Sequence, residues 1–339
     1  MALHDNTVLL RDRDTAVLGG CMARILVDMV HPADVNFYKN ALSRLREGNE
    51  ILITVLERGD LLSFARAEYP GFNIVPLGKH RRGKLGKLFG LILRELGFVS
   101  LFIKQKFDIV TSFGFYPAIA AKLFFTRSVL FYDDYEHKSN FALCRMFADK
   151  LVIPASVPYR SRKTVTYNGY KELAYLKGFK DGSRKGKHVF VRDVAPISLN
   201  YKDLKRTDFT SAFRELKKRG YKIYYYPEEG YSGEYGGMVE LVKPPFPGFY
   251  ETIAGARAVI TSGDTIAREA ALLGVPAIYT GGRVMSVNSS LEKEGLIIPS
   301  QDVLTAFDSL ESPEHYRKKA KAVVSGLEDT TEVILRELL

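Results

Sequence analysis

The chain has 339 residues, of which 46% are apolar and 26% charged, a composition that excludes a disordered polypeptide and a length that suits two domains. Its 49 Lys and Arg outnumber 39 Asp and Glu, for a net charge of +10, which favours phosphates, nucleic acid or an anionic membrane as partners. Two cysteines, Cys21 and Cys144, exclude a disulfide framework and a four-cysteine zinc site.

Residues 1–21 mix charges throughout, lack the apolar centre of a secretion signal, and read as a loose tail or a mis-called start before Met22. No uncharged apolar run approaches the roughly 18 residues that span a bilayer. Scarce cysteine points to a reduced, cytoplasmic setting.

From Arg24 onward, short apolar runs alternate with longer amphipathic ones. Ile25–Val30, Ile51–Leu56, Phe72–Leu77, Phe107–Phe113, Ser128–Tyr132 and Lys150–Pro154 read as strands covered on both faces. Val35–Glu47 reads as a helix with Phe37, Ala41, Leu42 and Leu45 on one face, stopped by Gly48-Asn49. The alternation lapses between about 155 and 187, where nine Lys and Arg face two acidic residues. It resumes with His188–Arg192, Tyr221–Tyr226, Ala256–Ser262, Pro276–Thr280 and Leu296–Pro299, and with helices over Asp208–Arg219 and Thr265–Leu273. Helices close the chain from Pro313 to Leu339. Repeated strand–helix alternation predicts two α/β domains with parallel sheets, and a site in the cleft between them. The expected division is a domain at 22–165, a linker at 166–187, a second domain at 188–315 and terminal helices at 316–339.

Standard nucleotide fingerprints are missing. The turn after the first strand is Val30-His31-Pro32-Ala33-Asp34, with no G-x-G-x-x-G. Gly78 to Lys84 has the glycine and lysine spacing of a P-loop, but Leu85 stands where a Mg²⁺-binding hydroxyl is required.

The strongest constellation is Thr261 to Gly282, TSGDTIAREAALLGVPAIYTGG. A strand ending at Ser262-Gly263 runs into a helix for which Asp264 or Thr265 is the expected cap. Gly263 lets the backbone approach a ligand, and free N–H groups at the helix start suit a diphosphate. Glu269 is spaced to accept hydrogen bonds from ribose hydroxyls; the bland alternative pairs it with a neighbouring Arg or Lys.

This segment resembles the nucleotide-binding stretch of glycosyltransferase-B folds, including UDP-N-acetylglucosamine 2-epimerases and the lipid-linked N-acetylglucosaminyltransferase of peptidoglycan synthesis. Ile25–Asn40, Pro76–His80, Ser112–Ala118, Asp133–His137 and Tyr167–Leu176 resemble more closely one largely archaeal family, domain-of-unknown-function family 354, over about Met22 to Glu294. The resemblance implies two facing Rossmann-like domains, with a nucleotide-sugar donor held mainly by the C-terminal one. Ser262, Gly263, Asp264 and Thr265 would meet the diphosphate, Glu269 the ribose, and Arg192 would neutralise phosphate; Glu228, Glu229 and Gly230 would form another loop facing the cleft. The chain lacks the second glycine and further acidic residue of the epimerase segment.

In the N-terminal half, His31, Asp34, Ser112, Gly114, Asp134, Glu136 and His137 all follow predicted strands, whose carboxyl ends converge on one edge. His31 is the candidate base toward an acceptor hydroxyl, where the resembling lipid-linked transferase also has a histidine, with Asp28 or Asp34 to orient it; the alternative is a helix cap shared with Asp34. Glu136 and His137 are expected cleft residues. No bound metal is expected, because helix ends and basic groups stabilise a leaving diphosphate. The expected function is a glycosyltransferase moving a sugar from a UDP-sugar to a glycan or polyprenyl-linked hydroxyl, with an epimerase or hydrolase, or a non-catalytic nucleotide-sugar binder, as alternatives.

Residues 79–106 hold eight Lys and Arg against one Glu, interleaved with bulky apolar residues. That suits a helix lying on an anionic membrane, or a crossover helix with solvated lysines. Nucleic acid is not expected, since the basic residues follow no recognition motif.

Overall fold

The computed structural model describes residues 22–81, 83–179, 186–194, 207–227, 233–242 and 248–339. The N-terminal half runs β1 (Ala23–Met29), α1 (Pro32–Leu45), β2 (Asn49–Glu57), α2 (Leu61–Glu68), β3 (Asn73–Lys79), α3 (Lys84–Lys104), β4 (Ile109–Ser112), α4 (Tyr116–Leu123), β5 (Arg127–Phe131), α5 (Lys138–Phe147), β6 (Lys150–Pro154), β7 (Thr164–Tyr167) and α6 (Leu173–Leu176). The C-terminal half runs β8 (His188–Asp193), α7 (Thr210–Lys218), β9 (Lys222–Pro227), β10 (Glu240–Leu241), α8 (Phe249–Ala254), β11 (Val259–Thr261), α9 (Asp264–Leu272), β12 (Ala277–Tyr279), α10 (Ser289–Lys293), β13 (Ile297–Pro299), α11 (Val303–Asp308), α12 (Pro313–Ser325) and α13 (Thr330–Leu338).

The first seven strands form one parallel sheet in the order β3-β2-β1-β4-β5-β6-β7. The other six form a second, β10-β9-β8-β11-β12-β13, also parallel. These are two Rossmann-like units. Each sheet reverses its winding once, between β1 and β4 and between β8 and β11. At such a switch point the connections leave in opposite directions and open a crevice at the carboxyl edge. His31 follows β1 and Ser112 ends β4; Asp193 ends β8 and Ser262 follows β11. Topology alone therefore sets these residues at crevices.

The central strands are buried on both faces, as their runs of Ile, Val and Leu require. Two features depart from the expected layout. The stretch read as a linker contains the end of β7 and all of α6, so the N-terminal sheet continues beyond the expected boundary at 165. β7 is an edge strand, half-buried and built of Thr-Val-Thr-Tyr, and so shows no continuous apolar run. The terminal helices also part company. α12 packs Tyr316 and Ala320 into the C-terminal core, whereas α13 returns to the N-terminal unit and buries Val333, Ile334, Leu335 and Leu338 beside Phe37 and Ile25. Lys150 holds Glu337 at 2.7 Å.

Candidate functional site

His31 begins α1. Its Nδ1 accepts the Ala33 N–H at 3.2 Å, while the Asp34 carboxylate accepts the N–H groups of Val30 and His31, each at 2.9 Å, completing a capping box. The cap expected as the bland alternative is thus formed. It has a chemical consequence: with the Nδ1 lone pair engaged, a neutral ring carries its proton on Nε2 and presents a donor there. The surrounding protein and the charges of Arg58, Lys171 and Arg192 push the His31 pKa well below its ordinary value, although the side chain is open to solvent and water offsets part of that shift. The three cations come from the loop after β2, the turn before α6 and the end of β8, so both units direct positive charge at one imidazole. Burial raises Asp34 to about 7, against two backbone hydrogen bonds that oppose the rise. Asp28 does not orient His31. It is buried under the sheet, bound by Arg94 at 2.6 Å and by Thr54 at 2.7 Å.

His137 likewise caps a helix, its Nδ1 accepting the Asn140 N–H at 3.3 Å at the start of α5. Glu136 reaches across to the C-terminal unit and accepts the Ser286 N–H at 2.9 Å, leaving its other oxygen buried without a partner. Ser112 donates to the Gly114 carbonyl at 2.6 Å.

The turn after β11 is tied to β8. Ser262 donates to Asp193 at 3.2 Å and accepts the Val194 N–H at 2.8 Å, and the Ser262 N–H meets the Arg192 carbonyl at 3.2 Å. Gly263 is required by packing, since a Cβ there would stand 2.9 Å from a Val194 methyl. Gly263 itself is the N-cap of α9, with no side-chain cap, so neither Asp264 nor Thr265 fills that role. Asp264 is already helical and its carboxylate is taken by Tyr279 at 2.5 Å and Arg283 at 2.7 Å. Thr265, half-buried, lies on the open first turn of α9. Arg192 stacks on Tyr226 at 4.1 Å beside this turn. Glu228, Glu229 and Gly230 lie outside the described residues.

Glu269 differs from both readings of it. It is buried, and one oxygen accepts Tyr175 at 2.6 Å and Tyr250 at 3.1 Å, while the other has no partner. Burial raises its pKa to about 7. Tyr250 in turn accepts Asn36 of α1 at 3.0 Å, linking the two units. Among the described residues neither Arg nor Lys pairs with this carboxyl.

Three basic residues at this junction escape sequence reasoning. Arg268 is fully buried and donates to Glu172 at 2.8 Å, Asn288 at 3.0 Å and Asp133 at 3.2 Å. Lys171 pairs with Asp133 at 3.1 Å. Burial would raise Asp133, but Lys171 and Arg268 outweigh it and hold the carboxyl below its ordinary value. Arg283 grips both oxygens of Asp134 at 2.8 and 2.9 Å. The signal was present in the Tyr167–Leu176 and Asp133–His137 motifs, but charge pairing over 38 to 149 residues has no periodicity to reveal it. Among the described residues no group of three or more His, Cys, Asp or Glu is placed to hold a metal ion.

The family described as "Protein of unknown function (DUF354)" matches residues 220–339, reaching past Glu294 and leaving the N-terminal motifs outside the match. No curated protein matches by sequence. Among solved structures, an S. aureus MnaA–UDP complex is similar, with 13% identity, a TM-score of 0.69, and coverage of 94% of this chain and 96% of that one. UDP-GlcNAc 2-epimerase from Neisseria meningitidis bound to UDP-GlcNAc has 13% identity, a TM-score of 0.64 and coverage of 93% and 99%. The glycotransferase of kitacinnamycin has 13% identity, a TM-score of 0.56 and the same coverage. At these identities the likeness establishes the shared two-domain fold of glycosyltransferase-B type.

Proposed function

We propose that this chain is an enzyme acting on a nucleoside-diphospho-sugar, with the diphosphate seated between the Ser262 turn and His31. The observation that supports the reading is that the charges of Arg58, Lys171 and Arg192 all act on His31, which follows β1 at the switch point of its sheet. Two negative phosphates need several fixed cations and donors, and this is where the fold collects them. UDP is the favoured nucleotide, because structural neighbours are described as complexes with UDP and with UDP-GlcNAc. The reaction assigned is transfer of the sugar to a hydroxyl acceptor, a glycan or polyprenyl-linked sugar, held by the N-terminal unit. His31 then acts as a neutral Nε2–H donor to a phosphate or sugar oxygen, in place of the base expected from sequence; the acceptor oxygen bonds to the sugar carbon as the sugar–phosphate bond breaks, and the acceptor's proton leaves with the departing diphosphate. Thr265 and the open turn of α9 receive the leaving diphosphate. Asp34 and Glu136 border the acceptor side, and His137 orders α5 beneath them.

A second reading, 2-epimerisation, is favoured by Glu269 and Asp34. Their pKa values near 7 suit carboxyls that exchange protons at neutral pH. Turnover separates the two. A transferase consumes UDP-sugar only when a hydroxyl acceptor is supplied; conversion of UDP-GlcNAc to its 2-epimer without any acceptor would establish the second reading. Binding without turnover under either condition would leave a nucleotide-sugar-binding protein.

A further inference from the structure

Helix α3 packs inward through Arg94, Phe98 and Phe102, which are buried against β1, β2 and β4. Crossover helices usually present polar residues on the opposite side. Here that side is apolar. Leu85, Leu88, Phe89, Ile92, Leu96 and Ile103 recur at steps of three, four and seven, and all are exposed, with Leu85 at 82% and Ile103 at 72%. The stripe continues onto a second element. Phe102 stacks on Phe124 at 5.3 Å, and the turn after α4 then projects Phe125, which is 98% exposed. Phe125 has φ 55°, the one non-glycine residue with positive φ among those described. That left-handed conformation closes α4, with the Thr126 N–H bonding the Ala121 carbonyl at 2.9 Å, in a position where glycine is the usual residue and a phenylalanine is left projecting.

The exposed charges at the two ends of this face include several basic ones. Arg94 is consumed by Asp28, and Glu95 turns inward with both oxygens buried. Arg81, Lys104 and Lys106 remain exposed at the two ends of the stripe, Arg81 lying over Phe89 at 5.2 Å. No helix among the described residues is long and apolar enough to cross a membrane.

We propose that the outer face of α3, together with the Leu123–Phe125 turn, docks this chain on an anionic lipid bilayer, with Phe125 and the α3 stripe entering the headgroup boundary and the basic ends resting on lipid phosphates. A helix that is apolar outward, with cations at its ends and an exposed aromatic beside it, matches the surface chemistry of an interfacial helix. A protein groove with acidic walls is the competing occupant, and so is a second copy of the chain.

The test is flotation of the full chain with phosphatidylcholine vesicles and with vesicles part-replaced by phosphatidylglycerol. The chain is expected to float with the anionic vesicles, and to be released by high salt. Ile92→Glu combined with Leu96→Glu, both pointing outward, should lower the bound fraction at least about tenfold with the melting temperature unchanged. Phe125→Gly should weaken binding several-fold while leaving the fold as stable or more so. Should the double variant prove unstable, Arg81→Glu with Lys104→Glu should weaken binding by about fivefold per residue. Absence of flotation, variants that float like the parent, or equal binding to both vesicle types would overturn the proposal. So would a concentration-dependent dimer that the double variant dissolves without any lipid binding.

Discussion

Arg268 Nε lies 2.8 Å from Glu172 Oε1, joining the helix behind the candidate phosphate turn to the turn before α6. Both groups are sealed from water, and the same guanidinium reaches Asp133 of the N-terminal unit at 3.2 Å. One side chain thus fixes the donor turn relative to the edge that carries His31. Arg268→Met removes the cation that pairs with Glu172 and leaves buried carboxylates behind. A loss of about 3–5 kcal/mol is expected, read as a lowered midpoint in denaturant unfolding.

Glu269 gives a pH signature. Folded, its carboxyl keeps its proton to about pH 7, against 4.5 for an ordinary glutamate. The folded state therefore binds more protons in that window, and stability falls as pH rises through it. The contribution is complete below the ordinary value and lost above about 7. Glu269→Gln abolishes the term, so the parent should lose more melting temperature than the variant between about pH 5 and about pH 8. Equal losses would show that the carboxyl is ionised in the fold.

His31 holds two roles that one substitution separates. Asn is a good N-cap whose side-chain oxygen can accept the Ala33 N–H in place of Nδ1, so His31→Asn should cost only a few tenths of a kcal/mol. It lacks the Nε2–H, and turnover of nucleotide-sugar should fall at least about tenfold. The pH profile adds a second check: with the imidazole held neutral well below its ordinary pKa, the parent should show no loss of rate on the acid side near the ordinary histidine value.

Gly281 packs where a Cβ would collide with the Ser262 carbonyl and the Tyr279 hydroxyl. Gly281→Ala should push the loop outward, loosen Arg283 from Asp134 and destabilise the chain by about 1–3 kcal/mol. Thermal unfolding measures the cost, and a weaker response to added UDP measures the loss of the turn.

Most of the fold was legible because buried parallel strands are written as short apolar runs: β1, β2, β5 and β6 stand within two residues of where such runs end. β7 was not, because an edge strand buries too little to need apolar residues at every position. The candidate site was legible where it follows strands, as at His31 and Ser262. Its chemistry was less so. Whether a histidine lone pair is occupied, or a glutamate meets tyrosine hydroxyls instead of solvent, depends on Ala33, Tyr175 and Tyr250, and only the last two are distant in sequence. Arg268 reads as one more charge on a helix until the fold brings Glu172 and Asp133 to it.

The central claim is that the cations facing His31 hold a diphosphate. Calorimetric titration of UDP and of uridine into the parent and into Arg192→Ala tests it most directly. UDP should bind the parent at least about tenfold more tightly than uridine, and Arg192→Ala should remove most of that margin. Equal affinities for UDP and uridine, or a margin untouched by the substitution, would contradict the account.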